Sequence, residues 1–391
     1  MVPDQAGNPR RQAKARATRR RVIEAAERLF TEYGYPAPTI DAIAGAADVP
    51  LPTLYRLFGV KRALLAAVLD TTFGGDDQPI AFAVAALQAR GALDPGLGSS
   101  EAAGMVYALL SPDVHRLSPL NGTAYRDVTY CNSQTLDVYV PGSAATRPLP
   151  LAIFVHGGGM TGDKADLPPA FLNALARAGF AVASLNYRLA VPTLNYRLAP
   201  SNQFPAQIED LKCGIRYLRA HAQTYDINPA KIFAFGPSFG GQLATLAALT
   251  GGHSKFDVGP YATTSSAIAA AVDMFGPSDL SGWAEQAHPQ DFHIIYGGSR
   301  ANLALASPVR YVKANAPPIL IIQGTADTTV PESQSAALYG KLSAAGDQTQ
   351  LILVQNMGHM FAQVDYVPIY PSFTQITADM VNWFKQHGAE S

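Results

Sequence analysis

Apolar residues recur at three- and four-residue steps near the start of the chain. Val22, Ile23, Ala26, Leu29, Phe30 and Tyr33 share one helical face, and Gly34 is placed to end that helix. A second short helix fits from Asp41 with Ile40, Ile43 and Ala44 inward, a third fits Pro52 to Phe58, and a fourth runs from Lys61 to Asp70. Short helices joined by tight turns have the shape of a helix-turn-helix. Helical patterns continue at Ile80–Ala89 and Ala102–Leu110. From Gly122 the period changes. Thr123–Tyr130 and Gln134–Val140 predict two antiparallel strands, and the unbroken apolar run Leu149–Val155 predicts a buried parallel one. Further buried strands fit Ala181–Asn186, Ile232–Phe235, Ala267–Phe275, Pro318–Gln323 and Gln350–Gln355. Helices fit Pro168–Ala178, Pro205–Ala222, Phe239–Leu249, Glu332–Ala345 and Thr374–Gln386. The pattern predicts an α/β fold, a doubly wound and mostly parallel eight-stranded sheet, preceded by a small all-α helix-turn-helix domain.

Composition adds three things. With 391 residues, 48% hydrophobic and 15% charged, the chain suits two globular domains and not a disordered segment. Its formal net charge of −1 hides a local excess: Arg10, Arg11, Lys14, Arg16, Arg19, Arg20 and Arg21 form an arm with no acid, suited to a phosphate backbone. The two cysteines, Cys131 and Cys213, lie in apolar-patterned segments and are expected as reduced thiols. No Cys/His spacing suggests a metal, no apolar run approaches a membrane span, and no signal peptide opens the chain, so a cytoplasmic protein is expected.

The chemistry concentrates at strand ends. The strand at Ile232 runs into Gly236-Pro237-Ser238-Phe239-Gly240-Gly241 and then a helix, the strand–turn–helix setting in which G-x-S-x-G marks a nucleophile, here Ser238. His156-Gly157-Gly158-Gly159 follows the third strand. The N–H groups of Gly157 or Gly158, with that of Phe239, suit an oxyanion hole. Asp327, just past Pro318–Gln323, would orient a histidine, and His359, after the last strand, would act as general base. The order Ser, Asp, His is that of α/β-hydrolases.

Two resemblances follow from these and neighbouring residues. Arg21-Val22-Ile23-Glu24-Ala25-Ala26, Thr39-Ile40, Thr53-Leu54-Tyr55-Arg56-Leu57-Phe58 and Lys61-Arg62-Ala63-Leu64-Leu65 resemble the TetR-family DNA-binding domain. The resemblance implies that Pro52, Thr53 and Tyr55 face DNA and that Lys61 lies by a phosphate. Asp48 stands where the turn usually has Gly, and Pro50 where Ser usually caps the recognition helix. Leu136-Asp137-Val138-Tyr139-Val140-Pro141, the His156 motif, Asn195-Tyr196-Arg197-Leu198-Ala199-Pro200, Phe204-Pro205-Ala206-Gln207 and Gly324-Thr325-Ala326-Asp327 resemble bacterial carboxylesterases related to hormone-sensitive lipase and feruloyl esterases. This implies cofactor-free hydrolysis of small to medium carboxylic esters through an acyl-enzyme. Pro237 and Phe239 depart from the usual elbow, and Phe239 is expected to narrow the acyl pocket.

The expected organisation is a disordered basic arm over 1–18, a TetR-like domain over 19–73, a helical remnant over 74–118 and a hydrolase over 119–391. An amidase or peptidase could use the same triad, and a ligand-sensing regulator could use the hydrolase half as its sensor. Finally, Leu185-Asn186-Tyr187-Arg188-Leu189-Ala190 recurs as Leu194-Asn195-Tyr196-Arg197-Leu198-Ala199. A tandem duplication is expected, with the first copy at the strand end and the second in the loop beside the oxyanion glycines.

Overall fold

In this computed structural model the described residues are 9–33, 38–58, 64, 122–142, 144, 146–158, 162–190, 202–252, 255–362, 364 and 369–388. They divide into two compact units, Met1–Arg116 with Gln355–Tyr370, and Leu117–Val354 with Pro371–Ser391. Segment 355–370, expected within the hydrolase region, groups with the first unit.

The first unit contains α1 (Pro9–Tyr33), α2 (Ile40–Ala46) and α3 (Leu51–Phe58). Val22, Ile23 and Ala26 bury against Ile43, Ala44, Leu54 and Phe58, as their helical spacing predicts. The Thr39 hydroxyl caps α2 by accepting from the N–H of Ala42 at 3.1 Å. Between α2 and α3 Asp48 adopts a φ of 51°, the left-handed conformation that explains the usual glycine there. The arm expected to be disordered over 1–18 is helical from Pro9 onward. Its basic residues are good helix formers, and they extend a helix already nucleated by the packed segment behind them. The fourth predicted helix lies outside the described residues except for Leu64, as do the expected remnant over 74–118 and the second LNYRLA copy.

The second unit is built on β1 (Thr123–Thr129), β2 (Thr135–Val140), β3 (Leu149–Val155), α4 (Pro169–Arg177), β4 (Ala181–Leu185), α5 (Ala206–Ala220), β5 (Ile227–Pro237), α6 (Phe239–Leu249), β6 (Ala270–Met274), α7 (Trp283–Ala287), α8 (Pro289–Ile294), α9 (Arg300–Ala306), β7 (Ile319–Gly324), α10 (Glu332–Ala344), β8 (Thr349–Val354) and α11 (Phe373–Gly388). The strands form one sheet in the order β1-β2-β4-β3-β5-β6-β7-β8. The β1–β2 and β2–β4 pairs are antiparallel, and every pair from β4–β3 to β7–β8 is parallel.

Alternation along the strands assigns side chains to two covered faces. Leu151, Ile153, Val155, Ile232 and Ala234 pack with Leu211, Ile215 and Leu243 of α5 and α6. Their neighbours Phe233 and Phe235 meet Phe171 of α4, Phe180 and Phe384 of α11 on the other face. The short helices α7 to α9 were not predicted. Each is five to seven residues long, too short to show a helical period.

Cys131 and Cys213, expected as reduced thiols, instead form a disulfide, with Cα atoms 6.2 Å apart. The turn at Cys131–Ser133 packs on α5, where the Asn132 amide also donates to Asp210 at 2.6 Å. Two cysteines 82 positions apart meet through this packing, which spacing along the chain does not reveal.

Candidate active site

The serine turn is shaped by what surrounds it. Ser238 sits between β5 and α6 with φ 52° and ψ −123°, a conformation that non-glycine residues avoid. Its N–H donates to the Met274 carbonyl at 2.8 Å, which ties the turn to β6. Two glycines make the turn possible. A Cβ on Gly236 would stand 2.2 Å from the Val155 oxygen, and one on Gly240 would stand 2.0 Å from the same atom. The elbow therefore rests directly on the end of β3.

The glycine segment after β3 lies beside this serine. A Cβ on Gly157 would meet the Ser238 Cβ at 3.7 Å, and Gly158 takes a φ of 71°. Phe239 opens α6, where a helix leaves its first N–H groups without intrahelical acceptors. Phe239 is 6% exposed and packs into the core with the Tyr187 ring at 6.1 Å. Gly159 lies outside the described residues.

Asp327 follows β7 and is buried. The N–H groups of Thr329 and Val330 both donate to its Oδ1 at 2.9 Å, which fixes the carboxylate. Ser238 and Asp327 thus leave the same edge of the sheet, at the ends of β5 and β7 with β6 between them. His359 belongs to the other compact unit and opens a 3-10 turn, His359–Phe361. That turn is closed by bonds from the Gly358 N–H to Ala362 O at 2.7 Å and from the Ala362 N–H to His359 O at 3.2 Å. On α3, Pro52 and Tyr55 are exposed and Thr53 is half-buried, while Lys61 lies outside the described residues. Among the described residues no group of His, Cys, Asp and Glu could hold a metal.

Sequence reasoning passed over the support of this site. Asn186 accepts from the Lys164 N–H at 2.6 Å and donates to Asp163 at 3.2 Å. Tyr187, 2% exposed, stacks on His156 with centroids 4.0 Å apart and planes 13° apart. Arg188 bonds Asp210 through its N–H at 2.9 Å and its Nε at 2.8 Å. All three belong to the first LNYRLA copy, whose recurrence was the available signal. As expected, that copy continues from β4, with the Asn186 N–H donating to Thr135 O. Burial holds the His156 imidazole below its ordinary pKa and the Tyr187 phenol well above its own. Burial also raises the Asp273 carboxyl, beneath the elbow, to about 6.

Comparison with known proteins places this architecture. The BD-FAE family profile matches residues 136–342, and the profile of bacterial regulatory proteins of the tetR family matches residues 22–68. Esterase LipC of Mycobacterium tuberculosis is 28% identical over 246 residues, 60% of this chain and 58% of LipC. Esterase LipQ of the same organism is 31% identical over 219 residues, 54% of this chain and 49% of LipQ. The chain thus spans about half the length of the curated relatives it matches. Among solved structures, a truncated carbohydrate esterase from gut microbiota aligns with a TM-score of 0.59 and 28% identity, over 68% of this chain and 97% of that one. Thermogutta terrifontis esterase 2 shares the fold, with a TM-score of 0.51 at 21% identity over 68% and 91% of the two chains.

Proposed function

The chain belongs to the BD-FAE family of feruloyl-esterase-like α/β-hydrolases, and on that premise we propose that it is a serine carboxylesterase acting on small to medium carboxylic esters. The observation that carries this reading is Ser238 in its strained turn at the end of β5, with Gly157 packed beside it. Strain of this kind, about 1–3 kcal/mol, persists where surrounding structure over-determines it and is typical of functional sites.

In the proposed reaction the Ser238 Oγ bonds to the ester carbonyl carbon while His359 takes its proton. The carbonyl electron pair moves onto oxygen, where the N–H groups of Gly157 or Gly158 and of Phe239 stabilise it. Asp327 orients the imidazole and stabilises its charged form. Collapse breaks the bond to the alcohol oxygen, which leaves with the proton from His359. Water then repeats the sequence on the acyl-enzyme and frees the acid. No cofactor or metal enters any step. The two bonds on Asp327 Oδ1 support its assigned role, because they hold the carboxylate in one orientation.

The test is a panel of nitrophenyl esters of rising chain length, run on the wild type and on Ser238→Ala. We expect hydrolysis by the wild type and a loss of about 10⁴-fold or more in the variant. Retained activity in a folded Ser238→Ala protein would overturn the reading.

The match over residues 22–68 and the exposed Pro52 and Tyr55 on α3 support a second role, binding of duplex DNA. Gel shifts on inverted-repeat duplexes should show binding that weakens steeply as salt rises. No shift at low salt would retire it.

A further inference from the structure

The carbonyl groups of the segment after β3 are tied down one by one. The Tyr187 hydroxyl donates to His156 O at 2.9 Å and, sharing the same proton, to Gly158 O at 3.3 Å. The His156 Nδ1 lies 2.8 Å from Gly157 O. A carbonyl oxygen only accepts, so Nδ1 carries the proton. Burial keeps the ring neutral, which leaves Nε2 without one, and among the described residues that buried nitrogen has no hydrogen-bond partner.

Across a trans peptide the C=O of one residue and the N–H of the next point in opposite directions. Tying His156 O to Tyr187 therefore turns the Gly157 N–H away from Tyr187. Tying Gly157 O to the imidazole turns the Gly158 N–H away from that ring. These are the two glycine N–H groups either of which is assigned, with that of Phe239, to the oxyanion hole, and Gly157 stands against Ser238.

We propose that Tyr187 and His156, a stacked and buried pair, are positioning residues that aim the oxyanion N–H groups by fixing the peptide planes on either side of Gly157. The proposal rests on the esterase reading above. The residues on either side of Tyr187 are anchored, Arg188 on Asp210 and Asn186 on the Lys164 N–H, so its hydroxyl reaches the loop from a fixed base.

The experiment uses the full chain. Tyr187→Phe keeps the ring stack and removes both bonds, and His156→Phe keeps the stack and removes the third. Each variant is first titrated with a nitrophenyl phosphonate to count sites with a reactive Ser238, and turnover is then expressed per titrated site. We expect kcat per site to fall by about 10- to 100-fold, below the loss on removing a donor outright, with KM changed less than about threefold. Affinity for an alkyl trifluoromethyl ketone, whose hemiketal with Ser238 carries an oxyanion, should fall by the same factor as kcat/KM. Unchanged turnover and ketone affinity per site in both variants would overturn the proposal. So would a fall only in the number of titrated sites, which is the mark of a purely structural role. If instead Ser238→Ala stays active, the esterase reading itself fails, and the two failures are told apart.

Discussion

A Cβ on Gly240 would stand 2.0 Å from the carbonyl oxygen of Val155, and the same construction on Gly236 gives 2.2 Å to that one oxygen. Helix α6 and strand β3 thus touch backbone to backbone beneath the serine. Gly240→Ala must push them apart. The expected loss is about 3 kcal/mol or more, at the upper end of overpacking, with turnover falling in the protein that still folds. Urea unfolding of the variant checks it; a midpoint equal to the wild type would show that the contact yields easily.

Ser238 holds a backbone conformation suited to glycine. Ser238→Gly should therefore be inactive yet more stable, by about 1–2 kcal/mol, because the replaced residue gives up strain. Thermal unfolding of wild type, Ser238→Ala and Ser238→Gly separates the two effects. Only the glycine variant should rise clearly, and a fall in its midpoint would remove the case for a strained elbow.

Asp273 is buried beneath the elbow, where it accepts from the Gly276 N–H at 2.7 Å and the Thr245 hydroxyl at 3.2 Å. Desolvation outweighs these bonds and raises its pKa from 3.8 to about 6. The folded state then holds the proton more tightly than the unfolded chain. This group accordingly favours folding below about pH 4, and that contribution is lost as pH rises through 6, an effect on the order of 3 kcal/mol. Asp273→Asn should flatten stability between pH 4 and 6 relative to the wild type. Unfolding curves across that range test it, and identical slopes in the two proteins would contradict the assignment.

The Cys131–Cys213 disulfide spans 82 positions. Closing a loop of that length restricts the unfolded chain, and the chain-entropy relation gives about 4.5 kcal/mol. Unfolding with and without a reducing agent should differ by that order, while the double variant Cys131→Ser with Cys213→Ser should show no response. A wild type indifferent to reduction would mean that the bond contributes nothing.

Much of this protein was legible from local pattern. Short apolar runs announce buried strands wherever both faces of the sheet are covered, as residues 149–155 of β3 and 319–322 of β7 do. Gly236, Ser238 and Gly240 can be recognised because the sharp turn needs small residues at fixed offsets. What local pattern missed has one physical cause, dependence on partners distant in sequence. The disulfide requires the Cys131 turn to land on α5. The side chain of Phe239 turns into the core because Tyr187 and the neighbouring apolar residues receive it there. The stack of Tyr187 on His156 joins residues from the ends of β4 and β3, which are neighbours only because those strands pair in parallel. The sequence by itself determined the strand–helix order, the elbow and the glycine segment, since each is specified by residues adjacent in the chain. Only the tertiary structure decided which side chains hold those glycines in place, because sheet pairing and helix packing choose such contacts after the chain has folded.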